Sequence, residues 1–178
     1  MKISGRGIFF ASTLFASIVV VLFSGCGRYA LGPGRETPFT TLYVEAVTND
    51  SLAPQAAPLA SAALREAFLR DGRVKLANSP AGADATLSLR LTNYHRRAAS
   101  YRSEDTARAN TFEITLEGEA TLSSNRLGGE SLFEGRSVRG AARLTWDDPT
   151  TSPNGRQPLA AAIRSLSRET VSMALDAW

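Results

Sequence analysis

Between Leu87 and Leu122 the chain alternates apolar with polar residues twice over, and this two-residue period restricts its fold more than any other feature. Leu87, Leu89 and Leu91 fall on one side of an extended segment from Ala83 to His95, with Ser88, Arg90 and Thr92 on the other. Thr111 to Leu122 repeats the pattern, with Phe112, Ile114, Leu116, Ala120 and Leu122 facing inward and Glu113, Thr115, Glu117 and Glu119 facing outward. Strands with one apolar face and one wet face belong to a largely antiparallel sheet that needs covering on one side only. A hairpin turn at Ser103-Glu104 keeps the inward parity of both strands and sets Arg90 opposite Glu117 as a cross-strand ion pair.

Two amphipathic segments supply the cover. From Pro58 to Asp71, Ala60, Leu64, Ala67 and Phe68 recur at helical spacing, with Asn49-Asp50-Ser51 upstream as capping side chains and Gly72 as the stop. After turn-rich sequence from Trp146 to Gly155, Leu159, Ile163, Leu166, Thr170, Met173 and Ala174 form one stripe. Thr40 to Val47 reads as a first strand and Glu130 to Leu144 as a last one, its alternation blurred at Gly135 and Gly140 in a way that suggests bulges. The expected fold is α/β of the α+β kind. It is a two-layer sandwich with a four-stranded, mostly antiparallel sheet, two helices on one face, and the order β-α-β-β-β-α. A right-handed crossover through the first helix places both helices on the same side.

The N-terminus is of a different character. Met1 to Gly7 carries Lys2 and Arg6, Ile8 to Phe23 is apolar apart from Ser12, Thr13 and Ser17, and Ser24-Gly25 are small residues directly before Cys26. This is the tripartite layout of an export signal, and the run is shorter than the ~20 residues a membrane-spanning helix requires. The expected organisation is a signal peptide over 1–25, a flexible tether over 26–38 rich in Gly and Pro, and a single domain over 39–178. Phe23-Ser24-Gly25-Cys26 resembles a bacterial lipobox, whose cysteine receives a diacylglyceryl group, with Phe23 where leucine is usual. Gly27 in the next position resembles lipoproteins sent on to the outer membrane. Cys26 is the only cysteine, so no internal disulfide is available and the core must hold by packing.

Removal of residues 1–25 takes away two basic residues and no acidic ones, so the formal charge falls from +3 to +1. A near-neutral domain without a basic stripe gives no basis for nucleic-acid binding. The lone His95 has no second histidine and no free cysteine to form a metal site or a nucleophile pair, and it reads as an ordinary polar residue at a strand end. Asp147-Asp148 lies between Trp146 and Pro149 in turn-forming sequence, and Gly128-Gly129 lacks phosphate-loop spacing. No catalytic residue, metal or cofactor is expected. Arg90, Arg96, Arg97, Arg102 and Arg108 surround the bend between the two alternating strands. Of these, Arg96, Arg97 and Arg102 exceed the carboxylates within reach, and two readings stand open: a solvated hairpin end, since exposed charges contribute little, or the candidate contact for lipid phosphates or for acidic groups on a partner, because guanidinium binds phosphate as a bidentate fork.

Taken in chain order, several segments resemble the lipopolysaccharide-assembly lipoprotein family (LptE). They are Cys26-Gly27 followed by Tyr29, the first strand with Asn49 after it, and Leu64-Arg65-Glu66-Ala67-Phe68-Leu69-Arg70-Asp71-Gly72-Arg73 closing the first helix. Ala83-Asp84-Ala85 opening an alternating strand and Leu132-Phe133-Glu134-Gly135 in the last strand complete the series. Departures are Arg28 between Gly27 and Tyr29, and Thr48-Asn49-Asp50-Ser51 where the family tends towards an aromatic or Pro and then Asn-x-Thr. The resemblance implies a non-enzymatic outer-membrane lipoprotein on the periplasmic side, a plug and assembly partner of the LptD β-barrel translocon that contacts lipopolysaccharide. Wide barrel lumens are polar, and a domain with a packed core and wet outer faces suits one. It equally suits the alternative, a membrane-anchored periplasmic module that scaffolds or activates other envelope machinery.

Overall fold

The computed structural model describes residues 37–101, 109–126, 130–145 and 156–178. The element order is β1 (Thr41–Val44), β2 (Thr48–Asn49), α1 (Ala56–Asp71), β3 (Lys75–Leu76), β4 (Ala85–Tyr101), β5 (Ala109–Ser124), β6 (Ser131–Thr145) and α2 (Arg156–Leu175). The sheet runs β3-β1-β4-β5-β6, with β2 also paired to β4. It has six strands instead of the expected four, in the order β-β-α-β-β-β-β-α. β2 and β3 are only two residues long, too short to show a two-residue period.

The sheet is also mixed where a mostly antiparallel one was expected. β1 runs parallel to β3 and β4, and β2 runs parallel to β4, whereas β4, β5 and β6 form an antiparallel meander. A helix inserted between paired strands returns the chain to its starting end, so α1 makes the strands on either side of it parallel. α1 and α2 pack on each other, and α2 lies on β5 and β6. Leu64 and Phe68 of α1 and Leu159, Ile163 and Leu166 of α2 share one buried cluster with Leu42, Val44, Leu87, Leu89, Leu91, Leu116 and Leu122. All of these sheet residues lie on the side that the alternation assigns inward.

Local chemistry sets the ends of these elements. α1 has no side-chain N-cap. Asn49 instead shapes the preceding loop, its Oδ1 accepting from the Ser51 backbone N–H and hydroxyl and its amide donating to the Ala53 carbonyl. Gly72 ends α1 at φ 77°, a left-handed conformation that glycine adopts without a Cβ penalty, and its N–H donates to the Phe68 carbonyl at 3.1 Å. The Asp84 carboxylate holds the starts of β1 and β4 together. One oxygen accepts from the backbone N–H groups of Thr40 and Thr41 and from the Thr40 hydroxyl, and the other lies 2.6 Å from Arg126. Gly135, at φ 57°, marks a register break between β5 and β6, as its sequence position suggested. Gly140 does not. Pairing is regular there, and the glycine is required because α2 lies directly on it.

Candidate functional site

The arginines singled out by sequence lie where β4 passes a bulge. Up to Leu91 the partners on β5 follow one register, with Leu89 opposite Ala120, Arg90 opposite Glu119 and Leu91 opposite Gly118. Between Leu91 and Asn93 the register shifts, leaving Thr92 unpaired, and Tyr94 then stands opposite Leu116 and Arg96 opposite Ile114. Directly opposed residues in an antiparallel pair share a face, so the bulge reverses the parity of β4. Uninterrupted alternation would place Arg96 on the wet face. In the folded chain it lies on the helix side, in the row of Tyr94, Leu116 and Ile114, and Tyr94 packs against the core. Gly118 accommodates this distortion, because a Cβ there would meet the Arg90 carbonyl oxygen at 2.8 Å.

Arg96 and Arg97 therefore face opposite ways and do not form one cluster. The Arg96 guanidinium carbon lies 4.5 Å from the centroid of the Phe112 ring. Phe112 is itself half-buried, opposite Ala98 on β4 and Leu144 on β6. One exposed cation stacked on an aromatic ring beside aliphatic surface is an amphipathic patch. The cation–π contact contributes about 0.5–1 kcal/mol at an exposed position, and the guanidinium N–H edge remains available to an anion.

Arg97 belongs to the wet face. It stands opposite Glu113, which stands opposite Arg143 on β6, with 3.9 Å between the Arg143 and Glu113 charged groups. Asn93, Glu117 and Arg139 form the adjacent parallel row. The Arg139 guanidinium donates to the Thr115 hydroxyl at 3.4 Å. Neither Arg96 nor Arg97 has an ion-pair partner among the described residues. Arg90 does, but with Glu119 at 2.6 Å and Asp50 at 3.1 Å instead of the expected Glu117. Up to Leu91 the register of β4 on β5 differs by two residues from that of a hairpin turning at Ser103-Glu104, a shift that keeps parity and is therefore invisible to the alternation. The Glu119 hydrogen bond, and then that of Asp50, holds the Arg90 guanidinium more firmly protonated than usual.

Cys26, Arg102, Arg108, Gly128-Gly129 and Asp147-Asp148 lie outside the described residues. His95 sits inside β4, not at a strand end, where it is exposed and its Nε2 is 2.8 Å from the Asn93 amide nitrogen. That nitrogen is a donor only, so Nε2 accepts. Among the described residues no three His, Cys, Asp or Glu side chains gather as a metal site would require. Sequence reasoning missed Phe112 as the neighbour of Arg96, with Leu144 beyond it on β6, and missed Arg139 and Arg143 on the wet face. Gly118, a glycine inside a strand of clean alternation, was the available signal of the bulge.

A family model described as "LptE: Lipopolysaccharide-assembly" matches residues 39–174. No curated protein matches the chain. Among solved structures, the chain is similar to the hypothetical protein CT253 from Chlamydia trachomatis, with TM-score 0.55 and 9% identity, covering 75% of this chain and 94% of that one. It is similar also to a minor lipoprotein from Acinetobacter baumannii, with TM-score 0.49 and 17% identity over 79% and 93% of the two chains. Lipoprotein B from Nitrosomonas europaea gives TM-score 0.49 and 17% identity over 83% and 88%. At such identities the likeness concerns the fold alone.

Proposed function

The chain belongs to the lipopolysaccharide-assembly family LptE, and from that premise we propose that it is an outer-membrane lipoprotein, anchored on the periplasmic side through Cys26. In this reading residues 1–25 are a signal peptide, 26–38 a lipidated tether and 39–178 the working domain. The domain acts as plug and assembly partner of an LptD-type β-barrel and contacts lipopolysaccharide on its way to the outer leaflet. The observation that carries the reading is the family match, which spans nearly the whole described domain. The wet face of the sheet supports it, because rows of Arg, Glu and Asn suit the polar lumen of a wide barrel.

Glycolipid contact falls to the far end of β4 and β5. Arg96 offers a guanidinium fork for a phosphate beside Phe112, which together with Leu144 opposite it on β6 offers apolar surface to an amphiphile. Arg97 and Arg102 are the further cations proposed for that end. The role is one of binding and assembly, and no reaction is assigned to any residue.

Tagged protein purified from detergent-solubilised outer membranes tests the partnership. A stoichiometric β-barrel partner is the expected result, and a chain that purifies without one overturns the plug reading. Mass spectrometry of the mature N-terminus tests the anchor: Cys26 should be acylated, Cys26→Ala should abolish lipidation and cleavage there, and an unacylated native Cys26 would refute it. A Cys26 acylated with two or more chains would hold the domain at the bilayer stably, since each buried CH₂ contributes ~0.8 kcal/mol.

A further inference from the structure

β6 ends the sheet, and among the described residues no strand pairs with its outer side. From Ala120–Arg136 to Thr111–Thr145 its pairing with β5 runs without a register break. The segment from Ser137 to Thr145 contains no proline. An edge this long and regular exposes a row of backbone donors and acceptors that can template another strand, and natural edges are usually interrupted by bulges, prolines or charges. The only register breaks in this pairing lie on the N-terminal side of Arg136, near Gly135, so they leave the rest of the edge regular.

Charge is the one device present, and its arrangement is selective. Arg136, Arg139 and Arg143 are exposed, with no carboxylate between Arg136 and Thr145. Across the wet face Arg97, Glu113 and Arg143 alternate in sign and end on a cation at the open edge, and the row of Asn93, Glu117 and Arg139 ends likewise. A strand added beyond β6 would set its own side chains beside Arg139 and Arg143. Carboxylates there would continue the alternation, whereas cations would repel. A second copy joining through its own β6 brings arginines towards arginines, so self-pairing is disfavoured.

We propose that the outer edge of β6 from Arg136 to Thr145 docks an extended acidic strand of a partner protein by strand addition. Backbone hydrogen bonds supply the attachment, and Arg139 and Arg143 select for glutamate or aspartate at the two positions that face them, four residues apart on the incoming strand. This edge is separate from the Arg96 patch and does not depend on glycolipid contact.

The test follows amide hydrogen exchange of the full-length chain in detergent micelles with three blocked peptides of about nine residues. The first alternates glutamate with valine, the second has lysine in place of glutamate, and the third is the glutamate peptide N-methylated throughout so that its backbone cannot donate. At millimolar concentration the glutamate peptide should slow exchange at alternate residues of β6 by roughly tenfold or more, and the other two should leave it unchanged. The Arg139→Gln/Arg143→Gln variant, checked by thermal melting, should bind the glutamate peptide about fivefold more weakly, as expected for two cross-strand pairs. Should that variant melt early, the lysine peptide decides the charge question. Unchanged exchange with the glutamate peptide overturns the proposal, and equal slowing by the lysine peptide overturns its acidic selectivity. Concentration-dependent self-association that protects β6 without peptide would replace the acidic partner with a second copy.

Discussion

Gly140 of β6 lies directly under Leu166 of α2: a Cβ on the glycine would come within 2.6 Å of the Leu166 Cβ and 2.5 Å of its backbone nitrogen. The Ala162 carbonyl oxygen would be closer still, at 2.2 Å. The obstacles are mainly backbone atoms, which cannot rotate aside, so the glycine sets how closely the helix approaches the sheet. Gly140→Ala is expected to cost about 3 kcal/mol, the upper end of ordinary overpacking. Denaturant unfolding measures this, and a loss within about 0.5 kcal/mol would show that α2 rides higher on the sheet.

Leu89 is 2% exposed in the middle of the shared cluster. Leu89→Ala should destabilise the domain by ~2–5 kcal/mol, since truncation loses burial and leaves a cavity. A loss below about 0.5 kcal/mol in the same unfolding measurement would place this face elsewhere.

Arg73, just after α1, reaches both Asp71 at 2.7 Å and Asp176 at 2.5 Å, the latter at the end of α2. The Ser172 hydroxyl also donates to Asp176, at 2.6 Å. The contact ties the two helix ends together, but Asp176 is half-exposed, so solvent screens the pair. A double-mutant cycle of Arg73→Gln with Asp176→Asn should give a coupling of about 1 kcal/mol or less that weakens with salt. Zero coupling at low salt would show that the contact does not persist in solution.

Stability should fall in acid. Backbone and hydroxyl hydrogen bonds from Thr40, then those from Thr41, hold the Asp84 carboxyl below the usual range. The Arg73 hydrogen bond lowers Asp71, and the Ser172 and Arg73 hydrogen bonds lower Asp176. Each of these groups ionises more readily folded than unfolded. Its stabilising share is therefore complete above the unfolded pKa of about 3.9 and is lost as pH falls through the depressed folded value. Urea unfolding across this range should show stability declining below about pH 4, with a shallower decline in Asp84→Asn. An identical decline in the variant would refute the role of Asp84.

Arg96 and Arg97 should separate in function as they do in space. If glycolipid is held at the patch of Phe112 and Leu144, Arg96→Gln should weaken its binding and flatten the salt dependence more than Arg97→Gln does. A charge-assisted bond of this kind contributes ~1.5–3 kcal/mol when partly desolvated and less when wet. Equal effects of the two substitutions would mean that the end of the hairpin acts as diffuse charge, without a preferred face.

The alternating rows and the two helical stripes were legible in the sequence because burial imposes the period of the element on its side chains, and Leu87, Leu89, Leu91, Ile114, Leu116, Leu64 and Leu166 are all buried where that period puts them. β2 and β3 were not legible, because two residues cannot display a period, and their place comes from backbone pairing with β4 and β1.

By itself the sequence determined which faces must be covered, where α1 must stop at Gly72, and which family pattern the domain carries. Only the tertiary structure decided the hairpin register, since a slip of two residues preserves every apolar position and is settled by how β5 meets β4 and β6 together. It also decided the face of Arg96, because a bulge at Thr92 depends on the partner strand having room at Gly118. For the same reason Gly140 resembled a bulge in sequence and is a close-packing position in the fold: its requirement comes from a helix that arrives later in the chain.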